Sequence, residues 1–324
     1  MIISKTPFRI SFCGGGSDLP AFFKFHDGCV ISTTIDKYVY IAVQKSFSNN
    51  IVLKYSKTER VDNTKTIKHK IFKKCLEDNK VSGVEITSMS DIPKGTGMGS
   101  SSSFTVGLLN ALNYYMVNSL IPKAKLASEA CQIELQLSEN AMGKQDQYAV
   151  AYGGLNYIVF KKNGEVCVTK IHISDSQLTQ MNNNLFIYYI GGTHNANRIL
   201  KEQSNNIIDD NEKNKSLIKM CEITKKLKKE LSLGNLDYIG TALHQNWLLK
   251  KTLCCKISNK KIDSIYEFAI KSGATGGKLL GAGGGGFMLF YVPTENHSTF
   301  EIKMKKYTRF YYKFEREGSR IFKI

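Results

Sequence analysis

Between a β-like run, Val84-Glu-Ile-Thr-Ser-Met89, and a helix-like run, Phe104 to Met116, lies Pro93-Lys-Gly-Thr-Gly-Met-Gly-Ser-Ser-Ser-Ser103. No other segment constrains the chain as much. Glycines at 95, 97 and 99 let the backbone turn tightly and approach a bulky anion without Cβ clashes. The serines open the predicted helix, where unpaired N–H groups and the positive end of the dipole face outward. Serine is also a common N-cap there. Strand, bare loop and helix N-terminus in that order make a phosphate cradle. It is not a Walker A loop, which needs Gly-x-x-x-x-Gly-Lys-Ser/Thr. Lys94 precedes the glycines here, and the other near match, Gly273-Ala-Thr-Gly-Gly-Lys-Leu279, has the wrong spacing and ends in leucine. A P-loop NTPase is therefore excluded.

At 324 residues the chain is long for a single core, and two domains are expected. β-like segments rich in β-branched and aromatic residues open it: Phe8–Cys13, Cys29–Ile35, Tyr38–Val43 and Ile51–Tyr55. A helix is predicted over Lys65–Glu77, two or three more between Ser100 and Val150, and a strand pair over Leu155–Phe160 and Val166–Thr169. A polar stretch, Ser174–Asn184, precedes the strand Leu185–Ile190. Helical periodicity follows over Asn214–Leu231, Leu236–Lys251 and Lys260–Lys271, and the chain closes on strand, helix and strand. Both halves mix strands and helices, so the class is α/β or α+β. The boundary is placed near residue 180, giving domains of 1–180 and 181–324.

Net charge is +17, yet only six of the 45 basic residues are arginine, and the lysines are scattered. That spacing reads as solvated helix faces rather than the concentrated stripe of a nucleic-acid footprint, so no nucleic-acid partner is expected. An anionic small substrate suits the charge as well. No apolar run reaches the length of a membrane span, and Met1 to Ile10 lacks a signal-peptide layout, so a cytoplasmic protein without membrane contact is expected. The eight cysteines show no Cys-x-x-Cys spacing and read as buried thiols. Cys254-Cys255 is adjacent, but nothing nearby in sequence completes a metal site. The six histidines also lack ligand spacing; His194 and His244 could reach a cleft but read more readily as structural.

Two further glycine clusters flank the first. Pro7-Phe-Arg-Ile-Ser-Phe-Cys13 runs as a strand into Gly14-Gly15-Gly16-Ser17-Asp18. The turn can be purely local, with Asp18 as a cap, or it can place Asp18 beside backbone too bare to obstruct a ligand. Arg9, amid apolar neighbours, needs a counter-anion. Gly281-Ala-Gly283-Gly284-Gly285-Gly286 satisfies Gly-x-Gly-x-x-Gly, but leads into the strand Phe287–Val292 instead of opening a helix, so it is not a dinucleotide fingerprint.

These three clusters, in this order and spread over nearly the whole chain, resemble the GHMP small-molecule kinases. Within that family the resemblance is greatest to the bacterial D-glycero-D-manno-heptose 7-phosphate kinases, through Pro7 to Asp18, Asp36-Lys37-Tyr38-Val39-Tyr40, Gly143-Lys144-Gln145-Asp146-Gln147 and Asn246-Trp247-Leu248-Leu249-Lys250-Lys251. The resemblance implies an α+β GHMP kinase fold, with a ribosomal-S5-like N-terminal domain and a ferredoxin-like C-terminal domain. It also implies ATP and Mg²⁺ as cofactors and a sugar phosphate as acceptor. The product would be a 1,7-bisphosphate for nucleotide-activated heptose and surface polysaccharide.

Carried over residue by residue, the resemblance gives ATP the loop Lys94, Gly95, Thr96, Gly97, Met98, Gly99, Ser100, Ser101 and Ser102. It gives Mg²⁺ Ser101 and Glu134, and it gives catalysis Asp146 as base with Arg9 as its partner. The acceptor falls to Gly14, Gly15, Gly16, Ser17, Asp18, Arg198, Gly283 and Gly284. Galactokinases carry Glu and His where this chain has Gly15 and Gly16, which implies room for a longer sugar ending in phosphate. Arg198, Lys250, Lys251 and Lys94 are the cations that could meet that phosphate. Other acceptors (fucose, galactose) and a non-catalytic sensor or RNA-binding protein on the same fold remain open, as does a homodimer.

Overall fold

Two long antiparallel strands organise the molecule, β1 (Ile2–Cys13) and β2 (Gly28–Lys45), joined through the one-turn helix α1 (Pro20–Phe23). The structure, a computed structural model, describes residues 1–139, 141–192 and 196–324. In β1 the two-residue period puts Phe8, Ile10 and Phe12, all fully buried, on one face, and Arg9 and Ser11 on the other. β2 is unbroken where two strands were expected. Pro7 pairs with Tyr38 and Phe8 with Ile35, so Asp36 and Lys37 form a bulge with no partner on β1. The Asp36 backbone N–H donates instead to the Lys313 carbonyl, and its carboxylate accepts from the Lys313 N–H.

β3 (Ile51–Lys54), β4 (Thr58–Val61), α2 (Lys70–Asp78) and β5 (Val84–Ser90) follow, with β5 antiparallel to β2 and parallel to β3. Three helices come next: α3 (Ser100–Val117), α4 (Lys123–Leu137) and α5 (Gln145–Tyr152). α3 is apolar over most of its surface and packs on β1 and β2, whereas α4 packs on α3 and α5. The hairpin β6 (Asn156–Phe160) and β7 (Val166–Lys170) pairs with the start of β2.

The polar stretch after residue 174 is a helix, α6 (Asp175–Asn184), started by a Ser174–Gln177 capping box. β8 (Leu185–Gly191), α7 (Ala196–Asp209), α8 (Asn211–Ser232), α9 (Tyr238–Thr252) and α10 (Lys260–Lys271) come next. β9 (Gly276–Leu279), β10 (Gly286–Tyr291), α11 (His297–Met304) and β11 (Thr308–Phe310) complete this half. The second sheet is ordered β11-β8-β10-β9. Taken in chain order it is the β-α-β-β-α-β arrangement of a ferredoxin-like domain. The tail then leaves it: β12 (Phe314–Glu315) pairs with β2, and β13 (Arg320–Lys323) with β1. A cut near residue 180 therefore separates the two sheets but assigns the tail to the half whose sheet it does not join. One continuous apolar cluster runs through both halves, from Phe8 and Phe72 to Trp247, Phe290 and Phe300.

Candidate active site

The loop between β5 and α3 is held by its neighbours on both sides. The Arg9 N–H donates to Met98 O at 3.1 Å, and the Ser103 hydroxyl donates to Pro7 O and Gly99 O. Gly97 has φ +86°, and a Cβ there would fall 2.2 Å from Leu280 O; one on Gly281 would fall 2.5 Å from Gly97 Cα. Only glycine lets the first and third glycine loops touch in this way. The two loops, the Gly15–Asp18 turn and the ends of α4 and α5 enclose a cavity of about 450 Å³.

Arg9, on β1, is one of the buried cations that line this cavity. Its Nε and Nη2 donate to the two oxygens of Asp146 at 2.7 and 2.8 Å, and its Nη1 donates to Gly97 O at 2.6 Å. This is a fork-to-fork pair, the most orienting form of ion pair. The counter-anion that Arg9 required is thus Asp146, in the first turn of α5.

Glu134, on α4, is 3% exposed and accepts from the hydroxyls of Ser101 (2.8 Å), Ser102 (2.7 Å) and Thr105 (2.8 Å), and from Gln147 Nε2. Burial pushes its carboxyl above the ordinary glutamate value, and these four donors pull it part of the way back. Four donors fill the capacity of a carboxylate. Ser101 is exposed and Ser102 buried, so Ser101 can turn from Glu134 towards a ligand while Ser102 stays.

Asp18 is buried and accepts from Gly16 N (2.8 Å), Gln145 Nε2 (3.1 Å) and Gln145 N (3.2 Å). A Cβ on Gly143 would sit 1.8 Å from Asp18 Oδ2, so this close approach requires glycine there. Three donors leave Asp18 one free lone pair at the cavity. Burial raises its carboxyl above the ordinary value, opposed first by the Gly16 N–H. Ser11 donates to Gln145 Oε1 at 2.8 Å, which fixes the amide that reaches Asp18.

Two buried lysines complete the wall. Lys250 Nζ, on α9, donates to Gly15 O (3.1 Å) and Gln203 Oε1 (2.9 Å); Lys278 Nζ, on β9, donates to Ser11 O (2.8 Å). Neither forms an ion pair with a described carboxylate. Burial lowers Lys250 to about 8 and Lys278 to about 7. Buried cations whose only partners are neutral favour an anion delivered by a ligand.

The structure gathers many of the expected residues around this cavity. Arg9, Gly15, Gly16, Asp18, Gly95, Gly97, Gly99, Ser100, Ser101, Ser102, Glu134, Asp146, Lys250 and Gly283 all line it. Others stand behind it. Gly14 N donates to Asn246 Oδ1, Ser17 bonds both backbone groups of Cys29, and Gly284 N donates to Ile257 O. Thr96 and Met98 turn inward from the loop between β5 and α3 and are buried, whereas Lys94 and Arg198 are exposed outside the lining. Lys251 is paired with Asp263, and His244 Nδ1 lies 2.6 Å from the Tyr266 hydroxyl; neither lines the cavity. His194 lies outside the described residues. Lys278, Gln145, Gln147 and Ser11 carried no assigned role in the sequence reading, although Ser11, Gln145 and Gln147 lie within the motifs named there. The available signal for Lys278 was a charged residue inside the apolar β9 run, flanked by Gly277 and Leu279.

Comparisons with known proteins bear on both halves. The profile "GHMP kinases N terminal domain" matches residues 65–154 and "GHMP kinases C terminal" matches residues 224–302, together a little more than half of the chain. A D-glycero-alpha-D-manno-heptose 7-phosphate kinase of Campylobacter jejuni is 28% identical, over 94% of this chain and 94% of its own. A galactokinase of Pyrococcus furiosus is 25% identical, over 92% of this chain and 91% of its own. Among solved structures, a D-glycero-D-manno-heptose 1-phosphate kinase from Bacteroides thetaiotaomicron superposes with a TM-score of 0.80 at 22% identity, covering 100% of this chain and 99% of the other. A putative sugar kinase from Campylobacter jejuni gives 0.74 at 24% identity, covering 100% and 98%. At these identities the two structures speak to the fold. No helix among the described residues is long and apolar enough to cross a membrane.

Proposed function

Because the chain belongs to the GHMP kinase family, we propose that it transfers the γ-phosphoryl group of ATP to the anomeric hydroxyl of D-glycero-D-manno-heptose 7-phosphate. Membership makes it an ATP-dependent phosphotransferase with an alcohol acceptor, and its relatives make it a sugar kinase. A purely non-catalytic sensor is thereby set aside. The observation that carries the sugar phosphate is Lys250, a buried ammonium with no described carboxylate partner, 3.1 Å from Gly15 O in the turn where galactokinases carry bulkier side chains. The acceptor's own phosphate supplies the anion that this site lacks.

Phosphoryl transfer asks mainly for positioning and charge stabilisation. The N–H groups of the first turn of α3 and the bare loop before it receive the ATP phosphates. Asp146 accepts the hydroxyl proton, with Arg9 fixing its orientation and presenting positive charge to the transferring group. Asp18 holds a sugar hydroxyl with its remaining lone pair, and its bonds to Gln145 set the residue before Asp146. Glu134 and Ser101 suit Mg²⁺, which takes hard oxygens and keeps several waters. What Mg²⁺ supplies when bound is charge compensation at the phosphate oxygens.

The test is an ADP-release assay over a panel of heptose 7-phosphate, unphosphorylated heptose, galactose, fucose and mevalonate. The reading predicts kcat/KM for the heptose phosphate at least about 10²-fold above every neutral sugar, the discrimination expected when a buried charge is left unpaired. Equal turnover of galactose or fucose would contradict it and move the assignment to a neutral aldose.

A further inference from the structure

Next to Gln203, which holds the Lys250 amine, Glu202 on α7 faces the adjacent pair Cys254-Cys255 just beyond α9. Cys254 Sγ lies 3.2 Å and Cys255 Sγ 3.6 Å from Glu202 Oε1, and the three ligand atoms all lie within 4.8 Å of one another. From this grouping we propose that Glu202, Cys254 and Cys255 form a binding site for a thiophilic divalent cation of the zinc class. The site does not rest on the acceptor reading above.

Ligand type and spacing favour such an ion. Two thiolates and one carboxylate oxygen suit a borderline-soft cation and are a poor set for Mg²⁺ or Ca²⁺. A tetrahedral zinc with ordinary bond lengths separates a sulfur from an oxygen ligand by about 3.5 Å. The observed 3.2 and 3.6 Å bracket that spacing, so little rearrangement is needed. Cys254 is buried, Glu202 half-buried and Cys255 exposed, which gives an entry path and leaves a fourth position for water. Lys256 pairs with Glu202 Oε2 and leaves Oε1 to face the sulfurs. That contact fixes the carboxylate's orientation, as hydrogen bonds to a ligand's far atom do in metal sites. Each thiol loses its proton on ligation, so two protons pass to solvent for each ion bound.

The site's neighbours tie it to the cavity. Gln203, next to Glu202, holds the Lys250 amine, and Ile257, two residues beyond Cys255, accepts the N–H of Gly284. An ion here would staple α7 to the 253–257 loop, the two segments that support the acceptor side.

The experiment uses the full chain, reduced and stripped with chelator. It is titrated with Cd²⁺ while the thiolate-to-cadmium charge-transfer band is followed, then with Zn²⁺ against a chromophoric chelator. The site predicts one ion and two protons per chain, undisturbed by excess Mg²⁺. Glu202→Gln and Cys255→Ser should each weaken Zn²⁺ binding by at least about 10–100-fold, the loss seen even for partners one shell further out. Cys167→Ser, whose thiol faces Glu165 on the β6–β7 hairpin, should bind as wild type. Melting of each variant without metal checks that the fold is kept, and Cys255→Ser serves if Cys254→Ser fails to fold. Wild type that takes no ion at micromolar Zn²⁺, or Cys255→Ser and Glu202→Gln variants that bind as tightly as wild type, would overturn the proposal.

Discussion

Arg9 and Asp146 act as one group, since both Asp146 oxygens already accept from the guanidinium. Asp146→Asn keeps the shape but sets an amide N–H₂ against an arginine N–H. We expect kcat to fall by about 10²–10⁴, with KM for ATP nearly unchanged, read by steady-state kinetics. A kcat within threefold of wild type would remove Asp146 from proton transfer. Arg9→Lys is not conservative either, because a single ammonium cannot span both oxygens. The two lysines carry a pH signature. Burial lowers them from an ordinary value near 10.5 to about 8 for Lys250 and about 7 for Lys278. Between those values and 10.5 the unfolded chain holds more protons than the folded one, so these groups make the ligand-free protein more stable as pH rises through that window. A bound anion wants both amines protonated, so acceptor affinity must fall over the same rise. KM for the sugar phosphate should increase from pH 7 to 9, and Lys250→Met should flatten that increase while raising KM at pH 7. A KM that is level with pH in wild type would show that neither amine meets the acceptor's charge.

At the scale of elements, the contact between the two glycine loops decides how the proposed ATP side is built. Gly97→Ala would place a methyl 2.2 Å from Leu280 O at φ +86°, whereas Gly95→Ala, at φ +79°, has nothing within 4 Å. Both substitutions strain a left-handed residue by about 1 kcal/mol or somewhat more. Only Gly97→Ala must also push the loops apart. Thermal unfolding and KM for ATP should therefore worsen clearly more for Gly97→Ala; equal effects would mean that the loops do not depend on this contact. The Gly/Ser loop, β5 and α3 were legible because strand, breaker and helix signals stand in sequence order. α7 was not. Its apolar positions Ile199 and Ile207 frame Gln203, a fully buried polar rung that serves Lys250 instead of the core, and Asn205 and Asn206 are weak helix formers. α6 was missed because it has few apolar residues, although the Ser174–Gln177 box was available as a start signal.

Across the whole molecule, three ordered glycine clusters were enough to reach the family and its two-sheet fold, because each cluster is a backbone requirement that local sequence displays. The return of the tail to β1 and β2 was hidden, since strands as short as Phe314–Glu315 declare themselves only through partners some 280 residues away. The site was legible by parts. Arg9 stood out as a charge amid apolar strand neighbours, whereas Glu134 and Asp146 were reached only through the family resemblance. Lys278, a charge inside a short apolar run, gained a place in the site only through the approach of β9 to Ser11. Ser17 and Gly14, singled out with the first glycine turn, hold that turn to Cys29 and Asn246 and do not face the cavity. Transfer from ATP to the anomeric oxygen of a sugar that already bears a phosphate is read by phosphorus NMR of the product formed from heptose 7-phosphate. A second sugar phosphorus signal, coupled to the anomeric proton and appearing in step with ADP, is expected. Inorganic phosphate without that signal, or a new phosphate coupled to any other ring proton, would contradict it.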